Sequence, residues 1–100
     1  MSYRLVVRPE VDADLMEAEE WYEQRVVGLG REFLRNARDT MDRLSATPLI
    51  YNVRYRRKQV RWAYLHRFPY RIVFRVIDNT VVIYAVVHAA RHERQWKPRL

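Results

Sequence analysis

The sequence predicts an α+β domain of order βααβββ, with a helical hairpin packed on one face of a mostly antiparallel sheet. Three observations carry this. Residues 9–47 hold two successive apolar stripes at helical spacing, and residues 61–88 hold three runs rich in Val, Ile, Tyr, Phe and Trp. Turn residues then fall between these segments, at Gly28-Leu29-Gly30 and at Asp78-Asn79. A chain of 100 residues has room for one packed core, so residues 1–100 are expected to form a single domain.

The elements follow in order. Tyr3 to Arg8 (YRLVVR) reads as a short strand closed by Pro9, which suits the first turn of a helix because its missing N–H costs nothing there. Glu10, Asp12 and Asp14 then sit favourably near the positive end of the helix dipole. Val11, Leu15, Ala18 and Tyr22 form one stripe, so the first helix is expected from Pro9 to about Val26. Gly28 is placed to end it. Leu29, Phe33, Ala37, Met41 and Leu44 form the stripe of a second helix, which stops near Thr47 because Pro48 disfavours helix at the residue before it. Tyr51 to Lys58 (YNVRYRRK) reads as an extended arm or edge strand whose cations discourage edge-to-edge pairing. Arg61–Arg67, Tyr70–Ile77 and Val81–His88 are the remaining strands, the last two joined by a hairpin at Asp78-Asn79, where both residues tolerate positive φ. Trp96 is expected to anchor a short terminal helix that leaves Arg91, Arg94, Lys97 and Arg99 exposed.

Composition excludes several classes. There is no cysteine, hence no disulfide framework and no thiolate chemistry, which suits a cytoplasmic protein. The longest apolar stretch, Val81 to Val87, is far short of the ~20 residues a membrane helix requires. The N-terminal MSYRLVV lacks the length and cleavage site of a secretory signal. His88-x3-His92 has the spacing of two metal ligands on a helix, but His88 ends a strand and no third ligand is evident, so neither metal nor cofactor is expected. No Ser–His–Asp spacing, glycine-rich phosphate loop or paired-carboxylate signature stands out.

Charge is segregated. Residues 1–50 hold seven arginines against ten acids, whereas residues 51–100 hold twelve Lys/Arg against only Asp78 and Glu93. The second half therefore points to an anionic partner, nucleic acid or acidic protein. A regular hairpin at Asp78-Asn79 places Ile72, Phe74 and Val76 on one face with Val81, Ile83 and Ala85, against the helices. The opposite face then carries Arg71 and Arg75 with Tyr84 and His88 beside them, and a tight turn at Phe68-Pro69 would add Trp62, Tyr64 and His66. A strand keeps central arginines only if they face water, an anion or a partner. Arginine forks onto phosphates or carboxylates, and aromatic rings cover apolar partner groups, so a binding face follows.

Three strings in this order, ADLMEAEEWYEQRVVGLGREF, RFPYRIVF and AVVHAARHERQWKPR, resemble the RelE/ParE superfamily, the toxins of bacterial type II toxin–antitoxin (plasmid stabilisation) modules. The WYE…GLG…F helices and the AV-x-H-x2-R tail are more similar to the ParE branch. The resemblance implies a cognate antitoxin as partner, hetero-oligomer formation with it, and growth arrest by inhibition of DNA gyrase through protein binding. It makes Arg61, Trp62, Arg71, Arg75, Tyr84, His88 and Arg91 the candidate target- and antitoxin-binding residues. An alternative within the superfamily is a ribosome-dependent messenger-RNA endoribonuclease of RelE type, and a third is a degenerate, non-toxic module member. RNA cleavage by 2′-OH attack needs a proton acceptor, a proton donor and cations on the phosphate. No catalytic set is firm; for a ribonuclease the candidates are Arg71, Arg75, Tyr84 and His88. Lys58 and Lys97 are the two lysines, and neither lies in a central strand, so a lysine-based version of that site is absent.

Overall fold

The computed structural model describes residues 2–91 and 93–100. A strand β1 (Arg4–Val7) precedes the helices α1 (Glu10–Glu23) and α2 (Leu29–Ala46). Strands β2 (Val53–Tyr55), β3 (Val60–Tyr64), β4 (Tyr70–Ile77) and β5 (Thr80–His88) follow. The sheet order is β1-β5-β4-β3-β2, with β1 parallel to β5 and the other pairs antiparallel. This is the α+β architecture that the pattern predicts, and the basic arm of residues 51–58 does contribute the edge strand β2. Among the described residues no helix is long and apolar enough to cross a membrane.

The helical hairpin turns on three side-chain and backbone details. α1 ends at Glu23, three residues before the expected limit, where the Arg25 N–H turns back only three residues to the Tyr22 carbonyl and tightens the last turn. Gly28 then adopts φ +89, a conformation that favours glycine, and starts α2. The Glu23 carboxylate accepts the N–H groups of Gly28 (2.9 Å) and Gly30 (3.0 Å), so one side chain of α1 satisfies the open first turn of α2. Those two hydrogen bonds hold its pKa below the usual value, with a smaller contribution from Arg31. At Gly30 the helices nearly touch: a Cβ there would lie 2.6 Å from the Glu19 carbonyl oxygen.

The hairpin buries its stripes on one sheet face. Val11, Ala18 and Tyr22 from α1 and Phe33, Ala37, Met41 and Leu44 from α2 pack on Ile72, Phe74, Val81, Ile83 and Val86. At the end of this core, Tyr22, Phe33, Phe68 and Tyr70 form an aromatic knot, with ring centroids 4.8 Å apart for Tyr22–Phe68 and 5.0 Å for Phe33–Tyr70. Burial raises the pKa of both tyrosines.

The β4–β5 hairpin departs from regularity in a way that decides the site. From Ile77↔Thr80 to Phe74↔Ile83 the register is the expected one, with positive φ at Asp78 but not at Asn79. A β-bulge then inserts Tyr84, and the pairing resumes one residue later as Val73↔Ala85, Ile72↔Val86, Arg71↔Val87 and Tyr70↔His88. Because side chains alternate with period two, every residue of β5 beyond the bulge changes face. Ala85 and Val87 thus leave the helix side, and Val86 and His88 join it.

The other face is also covered. Trp96, with no exposed surface, packs on Val60, Val73, Ala85 and Val87, and Tyr55, Trp62 and Leu100 close around it. The expected terminal helix is instead two 3₁₀ turns, Glu93–Gln95 and Lys97–Arg99, the second carrying Pro98 in its first turn. Trp96 anchors the segment as expected. Arg99 is not exposed: its guanidinium lies 2.6 and 3.1 Å from the two Asp14 carboxylate oxygens.

Candidate functional site

The two arginines inside β4 lie on the face away from the helices, as their alternation requires, but Arg71 is covered by the C-terminal segment and Arg75 is only half-exposed. Arg71 is nearly buried. Its guanidinium sits 4.5 Å from the centre of the Trp62 ring, and Nη2 donates to the Arg91 carbonyl at 3.4 Å. Arg75 Nε donates to the Lys58 carbonyl at 2.8 Å. Neither has a carboxylate partner among the described residues. Both instead cap backbone carbonyls of loops that border the sheet, a role arginine fills well because its fork can serve an acceptor while its plane stacks on a ring.

β3 supports this arrangement from one side only. Trp62 pairs with Val73 and Tyr64 with Arg71, which puts both rings on the Arg71 face as expected for a tight connection. Arg61 pairs with Phe74 and therefore points to the helix side, where Nη1 donates to the Tyr51 carbonyl at 2.5 Å. His66 lies beyond the strand, and its backbone N–H donates to Asn36 Oδ1. The indole N–H groups of Trp62 and Trp96 and the Nε–H of Arg71 are buried without an acceptor among the described residues.

The bulge separates the remaining candidates. Tyr84, the inserted residue, is buried with its ring 5.6 Å from the Arg8 guanidinium at the β1 edge. His88 is not beside Arg71. It faces Tyr70 on the helix side, ring centroids 5.3 Å apart, and its Nδ1 accepts the Ala90 N–H at 3.0 Å. With Nδ1 engaged as an acceptor, the neutral ring carries its proton on Nε2. His88, Tyr70 and Arg91 line a cavity of about 320 Å³ with Glu17, Trp21, Tyr22 and Pro69. Arg91 approaches Glu17 to 3.8 Å at its exposed rim.

Asp14 is the residue that the sequence reading missed. The bulge frees the Val86 N–H and the Tyr84 carbonyl from the ladder. Asp14 Oδ2 accepts the Val86 N–H at 3.0 Å, and Arg99 Nη1 donates to the Tyr84 carbonyl at 3.1 Å. The hydrogen bond to Asp14 raises the Arg99 pKa further above its already high value. Its spacing did offer a signal, since Asp14 falls on the inward side of α1, three residues after Val11 and four before Ala18. His92 of the His88-x3-His92 pair lies outside the described residues; among those described, no group of three or more His, Asp or Glu is placed to hold a metal ion.

Solved structures with this fold define the class. The chain is similar to a protein of the chromosomal ParDE toxin–antitoxin system of P. aeruginosa, at 18% identity and TM-score 0.75, covering 87% of this chain and 96% of that one. It also matches a chain of the RelBE2 toxin–antitoxin complex of Mycobacterium tuberculosis, at 23% identity and TM-score 0.61, over 88% and 99%. A mutant of E. coli toxin RelE in the free state matches at 20% identity and TM-score 0.55, over 90% and 86%. The fold is thus that of RelE/ParE toxins. Residues 5–93 match the family described as ParE toxin of the type II toxin–antitoxin system parDE, and the chain belongs to that family. Among curated proteins none matches.

Proposed function

We propose that this ParE-family toxin acts by binding a protein target, DNA gyrase, and is neutralised by a cognate antitoxin. The observation that carries the choice is the β5 bulge. Cleavage of RNA would need His88 to exchange a proton at the phosphate that Arg71 and Arg75 hold, within hydrogen-bond reach. The bulge turns His88 to the helix side of the sheet and leaves the arginines on the other. Arg71 is further engaged by Trp62 and the Arg91 carbonyl. Groups divided between two faces of one sheet suit recognition better than a concerted proton transfer.

The family assignment and the titles of two similar structures, a ParDE toxin–antitoxin system and a RelBE2 toxin–antitoxin complex, support the antitoxin as partner. A chain of net charge +7 favours an acidic antitoxin segment that orders on binding. The test is a gyrase supercoiling assay run beside in vitro translation of a reporter. The expected result is lost supercoiling with intact translation. Cut messenger with intact supercoiling would overturn the proposal in favour of a ribosome-dependent nuclease, and no effect in either assay would leave a non-toxic module member.

A further inference from the structure

The sheet ends in a ridge of cations for which neither the core nor the proposed target site has a use. Arg54, Arg56, Arg57 and Lys58 fall within five consecutive residues across β2 and the turn after it. All four are exposed, and Arg56 and Arg57 make no ion pair among the described residues. Beside them lies a groove of about 350 Å³ lined by Tyr55, Arg57, Lys58, Lys97, Pro98 and Leu100. Glu93 is the acid of this neighbourhood, and it is engaged by Lys97 at 2.5 Å.

The ridge is held in shape. Lys58 and Gln59 both adopt left-handed φ, 64 and 56, which costs energy in residues with a Cβ. Arg75 fixes the Lys58 carbonyl from the sheet, and Lys58 Nζ reaches the Leu100 carbonyl at 3.0 Å. A solvated charge run needs no such bracing. A surface that must present several cations in fixed relation to a polyanion does.

We infer that this ridge binds the phosphodiester backbone of duplex DNA without reading its sequence. The adjacent rings favour a duplex over a single strand. Single-strand sites rely on free aromatic faces for base stacking. Here Lys97 lies over the Tyr55 ring at 4.4 Å and Trp96 abuts it at 5.7 Å, while Arg71 and Arg54 cover Trp62 at 4.5 and 6.0 Å. What the ridge itself presents is the exposed cations Arg54, Arg56, Arg57 and Lys58, the chemistry of phosphate contacts. The inference concerns the toxin by itself and stands whatever its protein target.

The test uses fluorescence anisotropy of the full chain with a labelled duplex of about 20 base pairs, titrated from about 50 to 200 mM NaCl. Four phosphate contacts predict a log–log salt slope near −3.6 and about a hundredfold weakening over that range. Arg54→Gln/Arg56→Gln/Arg57→Gln should bring the slope to about −1. Arg31→Gln/Arg35→Gln/Arg38→Gln on α2 removes the same charge from exposed positions elsewhere and should leave the slope within about one unit of wild type. Thermal melting by circular dichroism verifies that both variants fold. An absent duplex isotherm at low salt, an unchanged slope in the β2 variant, or an equal fall in the α2 variant would overturn the inference. So would single-stranded RNA of the same length binding tenfold more tightly than the duplex, or loss of antitoxin binding with the duplex isotherm intact in the β2 variant.

Discussion

The two faces of the sheet are covered in opposite styles. On one, two helices of 14 and 18 residues bury aliphatic and aromatic stripes against Ile72, Phe74, Val81 and Ile83. On the other, the irregular segment of residues 93–100 holds a single tryptophan over Val60, Val73, Ala85 and Val87, with arginines capping carbonyls nearby. The helix side is regular, so many side chains share its stability. The tail side concentrates its packing in Trp96 and its polar closure in the Arg99–Asp14 pair. A short irregular covering can seal a sheet only when a few anchors are well placed, and it leaves donors such as Trp62 Nε1 without acceptors among the described residues.

That contrast can be measured. Phe33→Ala removes a fully buried ring from the knot between the helices and is expected to cost about 4 kcal/mol in urea unfolding. Trp96→Ala should cost less, about 3 kcal/mol, because the segment it anchors is short and free of strand pairing and can relax around the gap. It should also raise amide exchange in residues 93–100 while leaving the helices protected. Equal costs with loss of protection on both sides would break the distinction.

Asp14 belongs to both coverings, since it projects from α1 and holds the tail. Asp14→Ala strands the Val86 N–H and releases Arg99, at an expected cost of about 2 kcal/mol. A double-mutant cycle with Arg99→Ala should return a coupling of about 1 kcal/mol. Additivity would mean that the Asp14–Arg99 pair does not hold the tail. The smallest effect is expected at the exposed hairpin tip, from Glu23. Its folded pKa is lowered, so its contribution is present above the usual carboxylate range and fades as pH falls through the depressed folded value. The stability difference between the wild type and Glu23→Gln should therefore shrink on acidification. A difference that grew towards low pH would contradict the cap.

Much of this was legible in the sequence. Stripe spacing identified the helix faces, as buried Phe33, Ala37, Met41 and Leu44 illustrate, although Leu15 and Leu29 at the same spacing are only half-buried. The central strands and their turn were equally clear. Two things were hidden. A bulge carries no reliable local signal: YAVVH continues the apolar run of the strand without a break, and only the pairing reveals that Tyr84 is extra. Long-range pairing was hidden too, since Asp14 and Arg99 are 85 positions apart and nothing in either neighbourhood names the other. Both gaps fell on the candidate site, where the bulge moved His88 from one face to the other. The assignment of Trp62 and Arg71 to a common face came through intact because that part of the register is regular.

The central claim is that His88 and the arginines of β4, being on opposite faces, do not act on one phosphate. The measurement that tests it is gyrase inhibition and messenger cleavage by His88→Ala beside the wild type, with melting temperatures matched. The account predicts inhibition of supercoiling within about threefold of wild type, whereas loss of a working general acid or base typically costs 10²–10⁴-fold. A loss of that size, accompanied by disappearance of ribosome-dependent cleavage in the variant, would contradict it.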